Sequence, residues 1–545
     1  MKILNIKLMS GALAVCLAGS TLTGCMDEIE VTQVATEDQI SGSTTATEAL
    51  VQAMPASFND IDASYLNNNN WHGCFGYGSQ MYQRDLMTGD LSLVGDYASH
   101  FESFSQNENL GEDYIFAGYI WSYYYNFILT ANNVISGVNP ETATTSQLGY
   151  LGAGYAFRAL CYLDLARMLE FLPNEIFPDG VNSDGNKVTN LTVPIVEAGM
   201  SEAEARENPR VDRNTMFEFI LGDLDKAEEY IANIPSTNGK TLPDLACVYG
   251  LKARLYMWVE EYGEAERYAK LAYTTAGISP MTETDCLNTT TGFNDITKWM
   301  WGATQNSESS TVTTGIVNWT SWLSNQTTFG YTGPYTGMYN YIDVSMYNRI
   351  SDTDFRKKEW VAPAGSALDG QNQFLPGQEG VLPEYASLKF RPNEGNADDY
   401  ITGASQSVPI MRVEEMYFIE AEAAAHQDEA RGKQLIEDFM RLYRDENYTC
   451  SATSKEDVVE EIVFQKRVEL WGEGQTFFDI KRLDYSVTRA YEGTLFDPLS
   501  CFNTNGRPAW MNIVISRNEM MNNSALEGFN NPDPSGRYTP IDMDN

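Results

Sequence analysis

Residues 248–272 read VYGLKARLYMWVEEYGEAERYAKLA, and the spacing of apolar side chains in this stretch decides the fold class. Val248, Leu251, Leu255, Trp258 and Val259 fall on one stripe of an α-helix, and Ala265, Tyr268, Ala269 and Ala272 form the face of a second at offsets of 0, 3, 4 and 7. Tyr262-Gly263 is the expected break between the two helices. Two helices, a short Gly-containing turn and alanines on the contacting face are the grammar of a tetratricopeptide-like hairpin. The roughly 34-residue period of that repeat is absent, so irregular hairpins are expected in place of a regular solenoid.

Working outward, the same helical spacing recurs on both sides. Ile115, Tyr119, Ser122, Tyr123, Asn126, Phe127 and Thr130 share a face of a helix running to Val134 and Ile135. Phe157, Leu160, Cys161, Leu165, Met168 and Leu169 share another, which ends before Pro173, and Met216 to Ile231 adds a further helix. After Pro409, Val413, Met416, Tyr417, Glu420, Ala421 and Ala424 form one stripe, Ile436, Phe439, Met440 and Tyr443 the next, and a third pattern runs from Glu456 to Trp471. The fold class is therefore mostly α. Between 277 and 408 the chain is rich in Thr, Asn, Ser, Gly and Trp and punctuated by Pro334, Pro363, Pro376, Pro383 and Pro392, which predicts long loops with short strands. Loops of that length inside a compact domain usually carry function. The expected division is a helical region at 43–276, a loop-rich binding region at 277–408, and helices with closing loops at 409–545, all in one unit.

Of 545 residues, 36 are Lys or Arg and 75 Asp or Glu, a formal charge of −39 that opposes nucleic-acid binding. With 43% hydrophobic and 12% aromatic residues the chain can bury a large core. Lys2 and Lys7 precede an apolar run from Leu8 to Gly19, too short to span a bilayer, so residues 1–24 read as a signal peptide. Leu22-Thr23-Gly24-Cys25 resembles a bacterial lipobox, which makes Cys25 the expected lipidation site and residues 25–42 an acidic tether; the anchor would hold the protein on a membrane. Met26-Asp27-Glu28-Ile29-Glu30 resembles the acidic signal that sends Bacteroidetes lipoproteins to the outer cell surface. The remaining cysteines, at 74, 161, 247, 286, 450 and 501, match no zinc or redox spacing, and Cys161 and Cys247 lie on apolar helical faces as small buried hydrophobes.

Motifs for chemistry are weak. His72, His100 and His426 have no partner at metal-site spacing, Gly239-Lys240-Thr241 lacks the first glycine of a phosphate loop, and Asn182, Asp184 and Gly185 read as a surface turn, so no cofactor is expected. A glycosidase needs only two carboxylates about 5–10 Å apart, a separation that the sequence does not disclose.

Several further segments are distinctive together: Ile120-Trp121 with Ala131-Asn132-Asn133-Val134-Ile135, Phe157-Arg158-Ala159 onward to Leu172-Pro173, and Asp223-Leu224-Asp225-Lys226-Ala227. Further on come the hairpin 251–272, Arg412-Val413-Glu414-Glu415-Met416-Tyr417, and Arg467-Val468-Glu469-Leu470 with Glu473-Gly474 and Asp479-Ile480-Lys481-Arg482. Taken together these segments resemble the SusD/RagB family of outer-membrane nutrient-binding lipoproteins. Thr476 stands where the family usually has Arg, and the Pro-Ile-Pro that usually precedes the closing Asn531-Pro532 is missing. The mixed charges of the 467–482 block are expected to form ion pairs and helix-end contacts. The resemblance implies a SusD-like fold, no enzymatic activity, and a SusC-like TonB-dependent transporter as partner.

Residues 299–350 hold Trp299, Trp301, Trp319, Trp322, Phe329, Tyr331, Tyr335, Tyr339, Tyr341 and Tyr347, with only Glu308, Asp343 and Arg349 charged. A second uncharged patch, 63–83, holds Tyr65, Asn67 to Asn70, Trp71, His72, Phe75, Tyr77 and Tyr82. Flat aromatic rings with nearby amides suit the apolar faces and hydroxyls of neutral sugars. The ligand-binding candidates are Trp71, Tyr77, Trp301, Trp319, Trp322 and Tyr335, and the resemblance adds Asp90, an acid common at that place in the family. The competing reading is that these aromatics fill the core beneath long loops, as Trp121, Trp258 and Trp471 are expected to do on their helical stripes. A neutral oligosaccharide is the leading ligand; a peptide is the alternative, since some relatives are associated with peptide uptake, and glycoside hydrolysis is third.

Overall fold

The apolar stripes fold as helices. In chain order the principal ones are α1 (Thr44–Ala53), α2 (Tyr77–Leu86), α3 (Ile115–Ser136), α4 (Thr145–Leu169), α5 (Arg213–Ile231), α6 (Leu245–Trp258), α7 (Tyr262–Ala276), α8 (Val413–Gln427), α9 (Glu429–Tyr443), α10 (Lys455–Glu469) and α11 (Thr476–Arg482). The computed structural model describes residues 44–59, 61, 71–95 and 100–543, without the side chains of Thr44 and Trp71. The expected signal peptide 1–24, the lipid site Cys25 and the tether 25–42 lie outside the described residues. No described helix is long and apolar enough to cross a membrane.

Two boundaries differ from the sequence reading, each for a physical reason. α4 starts at Thr145, twelve residues before the Phe157 stripe, because a Thr144–Gln147 capping box opens it and every residue from Gly149 to Leu169 is buried. A helix packed by α3 on one side and α5 on the other needs no single apolar face, so its first half shows no stripe. In the hairpin, Tyr262 and Gly263 begin α7 instead of breaking the chain; the turn is Val259–Glu261, with Glu260 at a φ of 64°. α7 then packs between α6 and α8 through Ala265, Ala269 and Ala272, all fully buried. Tyr273 stacks on Tyr417 at 4.1 Å and Tyr262 on His426 at 3.8 Å along the α7–α8 seam.

Buried ion pairs bolt these helices together. Arg158 of α4 grips Asp223 of α5 through two hydrogen bonds of 2.8 and 2.6 Å, and Arg254 of α6 grips Glu415 of α8 in the same bidentate way. Arg412 reaches Glu469 and Glu473, Arg444 also holds Glu469, and Lys389 holds Glu473, all with almost no exposure. Removing one partner of such a pair leaves a buried charge and costs about 3–5 kcal/mol.

The segment 277–408 has short helical turns and strands, as its composition predicts. β1 (Leu91–Val94) pairs antiparallel with β3 (Tyr339–Ile342), from Leu91 opposite Ile342 to Val94 opposite Tyr339. β2 (Trp301–Thr304) pairs antiparallel with β4 (Ser407–Met411) through a bulge at Trp301/Gly302. Each ladder thus ties the loop-rich segment to a helical one, and the main apolar core runs without interruption from α1 through the loops to the carboxy-terminal region. Trp121, Trp258 and Trp471 are core residues, and the six described cysteines are buried free thiols. Asn182 closes a turn by accepting the amide protons of Asp184 and Asn186.

Candidate functional site

Asn318 caps the short helix Trp319–Leu323, its Oδ1 accepting from the Ser321 amide. The chain then winds back over that helix. Thr332 Oγ1 lies within 3.3 Å of the carbonyls of Ser321, Trp322 and Ser324, and the Tyr331 amide donates to Ser321 Oγ. Two glycines permit this fold-back. A Cβ at Gly330 would stand 2.7 Å from the Ser321 carbonyl, and one at Gly333, whose φ is +124°, would stand 2.4 Å from the Thr327 carbonyl. A buried amide pair locks the base: Asn325 Nδ2 donates to the Asn340 and Ser387 carbonyls, while Asn340 Nδ2 donates to the Trp322 carbonyl and its Oδ1 accepts from Tyr82.

On this frame Trp322, fully buried, lies flat under Tyr331, with ring centres 4.1 Å apart and planes 8° from parallel. The Tyr331 hydroxyl meets His72 Nδ1 in a short hydrogen bond and His100 Nε2 at 3.3 Å. The two imidazoles stack on each other at 4.7 Å, and the Trp322 indole N–H donates to the His72 carbonyl. Partial burial lowers the pKa of His72, and burial together with the charge of His72 lowers that of His100 to about 4. Burial raises the Tyr331 phenol to about 12. Near neutral pH the cluster is uncharged, with ring nitrogens and one phenol as its polar groups. Tyr331, His72 and His100 are each part-exposed, and Tyr335, at the tip of the loop closed by the Gly333–Met338 hydrogen bond, is 83% exposed.

The two uncharged patches of the sequence therefore meet, but most of the singled-out residues lie beneath the surface. Trp301 is fully buried against Phe58 and Phe157, and its indole N–H donates to the Thr241 carbonyl. Trp319 is fully buried edge-on to Phe390. Tyr77 is 1% exposed and donates to Asp164 at 2.7 Å. Asp90 is buried in an ion pair with Arg467, and its backbone carbonyl accepts from the Trp471 indole, so it fastens the amino-terminal region to α10. Thr476, in the position where Arg was expected, lies 3.4 Å from the same carboxylate. Buried side chains offer no face to a ligand, so Tyr77, Asp90, Trp301 and Trp319 are corrected to structural residues, and Trp322 becomes the backing of Tyr331. Tyr335 stays at the surface, and the side chain of Trp71 lies outside the described residues. His100 joins the cluster from outside both uncharged patches, and only proximity in the fold reveals it.

Residues 384–539 match the model of the SusD family. Among solved structures, a SusD-like carbohydrate binding protein from Bacteroides vulgatus superposes with a TM-score of 0.68 at 21% identity, covering 89% of this chain and 97% of that one. A SusD superfamily protein from Bacteroides thetaiotaomicron gives 0.64 at 15% identity, covering 92% and 100%. A laminarin binding SusD-like protein gives 0.59 at 16% identity, covering 88% and 97%. No curated protein matches the sequence. The structural likeness establishes a SusD-like fold over nearly the whole length, and the carboxy-terminal residues 384–539 carry the similarity to the SusD family.

Proposed function

We propose that the protein captures a neutral oligosaccharide or polysaccharide at the patch formed by Tyr331, Tyr335, His72 and His100, without altering it, and passes it to a SusC-like TonB-dependent transporter. The observation that carries this reading is the Trp322–Tyr331 stack, a rigid aromatic platform beside the exposed Tyr335 on an uncharged loop. Sugar rings lay their CH faces on such rings while amide, imidazole and phenol groups take the hydroxyls. A platform whose backing is already packed loses little side-chain freedom when it binds. Similarity to the laminarin binding protein and to the carbohydrate binding protein supports the ligand class. The signal sequence and Cys25 support a lipid-anchored protein at the outer cell surface, where a transporter partner would meet it.

The test is calorimetry of the purified protein against neutral and acidic polysaccharides and a peptide digest, with product analysis after long incubation. One neutral glycan binds saturably and no new reducing ends form. Tyr331→Ala and Tyr335→Ala each weaken it by about 1–2 kcal/mol, roughly tenfold. Unchanged affinity in both variants would remove the site, binding of peptide alone would replace the ligand class, and new reducing ends would make the protein a hydrolase.

A further inference from the structure

A second concavity, of about 840 Å³, lies where the end of α1, Thr130 of α3, the turn 238–241 ahead of α6 and the end of β2 come together. That volume falls within the ~300–1,000 Å³ of small-molecule sites. Four amides, Gln52, Asn59, Asn238 and Asn306, and six Ser or Thr hydroxyls line it, and no lining residue is charged or aromatic, although 20% of the chain is charged. Lys240, the one cation of the turn, is drawn away: its Nζ donates to the carbonyls of Thr297 and Trp299 at 2.9 and 2.6 Å.

The walls are fixed to one another. Asn59, which is buried, donates to the Thr304 carbonyl and accepts from Gln305 Nε2, the Trp301 indole donates to the Thr241 carbonyl, and the Gly302 amide donates to that of Lys240. Asn238, Gly239 and Lys240 take left-handed backbone in succession, with φ of 47°, 66° and 70°, a strained run that the bonds of Lys240 hold in place. Three amides are each anchored at one end only. Gln52 Oε1 accepts from Asn238 Nδ2 and Asn306 Oδ1 accepts from the Glu308 amide, which leaves Gln52 Nε2, Asn238 Oδ1 and Asn306 Nδ2 without a partner among the described residues. None of these three residues is buried, so the free ends are open to a ligand.

We propose that this groove is a second ligand site, for the hydroxyl-rich units of a neutral sugar, separate from the aromatic patch and sharing no residue with it. Each sugar hydroxyl both donates and accepts, which matches the two free donors and one free acceptor. A charged ligand would find no counter-charge in the lining, and an apolar one would leave the amides unpaired. Because the amides are already oriented by their anchored ends, little side-chain freedom is lost on binding. With no ring to stack on, the groove binds more weakly than the patch.

The test is saturation-transfer NMR and calorimetry of the intact Tyr331→Ala/Tyr335→Ala protein, with maltohexaose, laminarihexaose, mannohexaose and a neutral tripeptide as probes. At least one of the sugars binds at one site per chain, and the peptide does not. Gln52→Glu keeps the acceptor that holds Asn238 and removes the free donor, and it weakens that binding roughly tenfold. Ser310→Trp, at an exposed position, fills the groove and abolishes it, with thermal melting as the check that the fold is kept. No sugar binding in the protein that lacks the two tyrosines, sugar binding that both groove variants leave unchanged, or binding of the peptide alone would overturn the proposal. Placed in the protein with both tyrosines, the groove variants spare the tighter binding of the patch, so failure of one site is read separately from failure of the other.

Discussion

His72 and His100 carry the residue-scale consequence most open to measurement. Stacked at 4.7 Å and partly buried, neither ring holds a proton easily, and the His100 pKa falls from an ordinary 6.5 to about 4. The unfolded chain takes up a proton at this histidine near pH 6.5, whereas the folded chain does so only near 4. The stability His100 supplies is therefore complete above pH 6.5, is lost progressively as pH falls towards 4, and falls no further below that. In a ring-nitrogen NMR titration His100 is expected to show a midpoint near 4; a midpoint above 6 would mean that the imidazoles are solvated and not stacked. His100→Gln should flatten the melting-temperature profile across the same interval.

At the scale of an element, the fold-back over helix Trp319–Leu323 rests on backbone that only glycine tolerates. At Gly333 the φ of +124° and the Thr327 carbonyl, 2.4 Å from where a Cβ would stand, both oppose a side chain. Gly337, four residues on, also has a positive φ, 71°, but nothing lies within 4 Å of its Cβ position. Gly333→Ala should thus cost about 2–4 kcal/mol in chemical denaturation and displace Tyr331 from Trp322. Gly337→Ala should cost about 1 kcal/mol, the left-handed penalty alone, and keep the ligand affinity. Equal costs at the two sites would show that the fold-back is not rigid.

Across the whole molecule, Asp90 and Arg467 join segments 377 positions apart, with Trp471 hydrogen-bonded to the same residue's carbonyl. The pair acts as a clasp between the amino-terminal region and α10. Asp90→Asn is expected to destabilise the protein by roughly 2–4 kcal/mol, short of the full cost of a wholly buried pair because Arg467 keeps some access to water. Its ligand affinity, measured well below the melting temperature, should match the parent. An affinity loss without a stability loss would return Asp90 to the ligand site.

Much of this architecture was legible from the amino-acid sequence. Stripes such as Ala265, Tyr268, Ala269 and Ala272 specify helices because one face of each must be buried, and the Pro- and Gly-rich stretch 277–408 specifies loops because its residues interrupt both helix and sheet. The first half of α4 escaped because a helix buried on all sides carries no stripe. The candidate site was legible only as composition. Trp301, Trp319 and Trp322 have polar or glycine neighbours in sequence, yet chain segments far away in sequence cover them, and burial depends on those long-range contacts. The sequence by itself determined the helical class, the uncharged aromatic loops and the family resemblance, all properties of local pattern. The tertiary structure alone decided which aromatic ring reaches the surface, that His100 stands beside Tyr331, and that Gln52, Asn238 and Asn306 line one groove, because each depends on groups distant in sequence meeting in space.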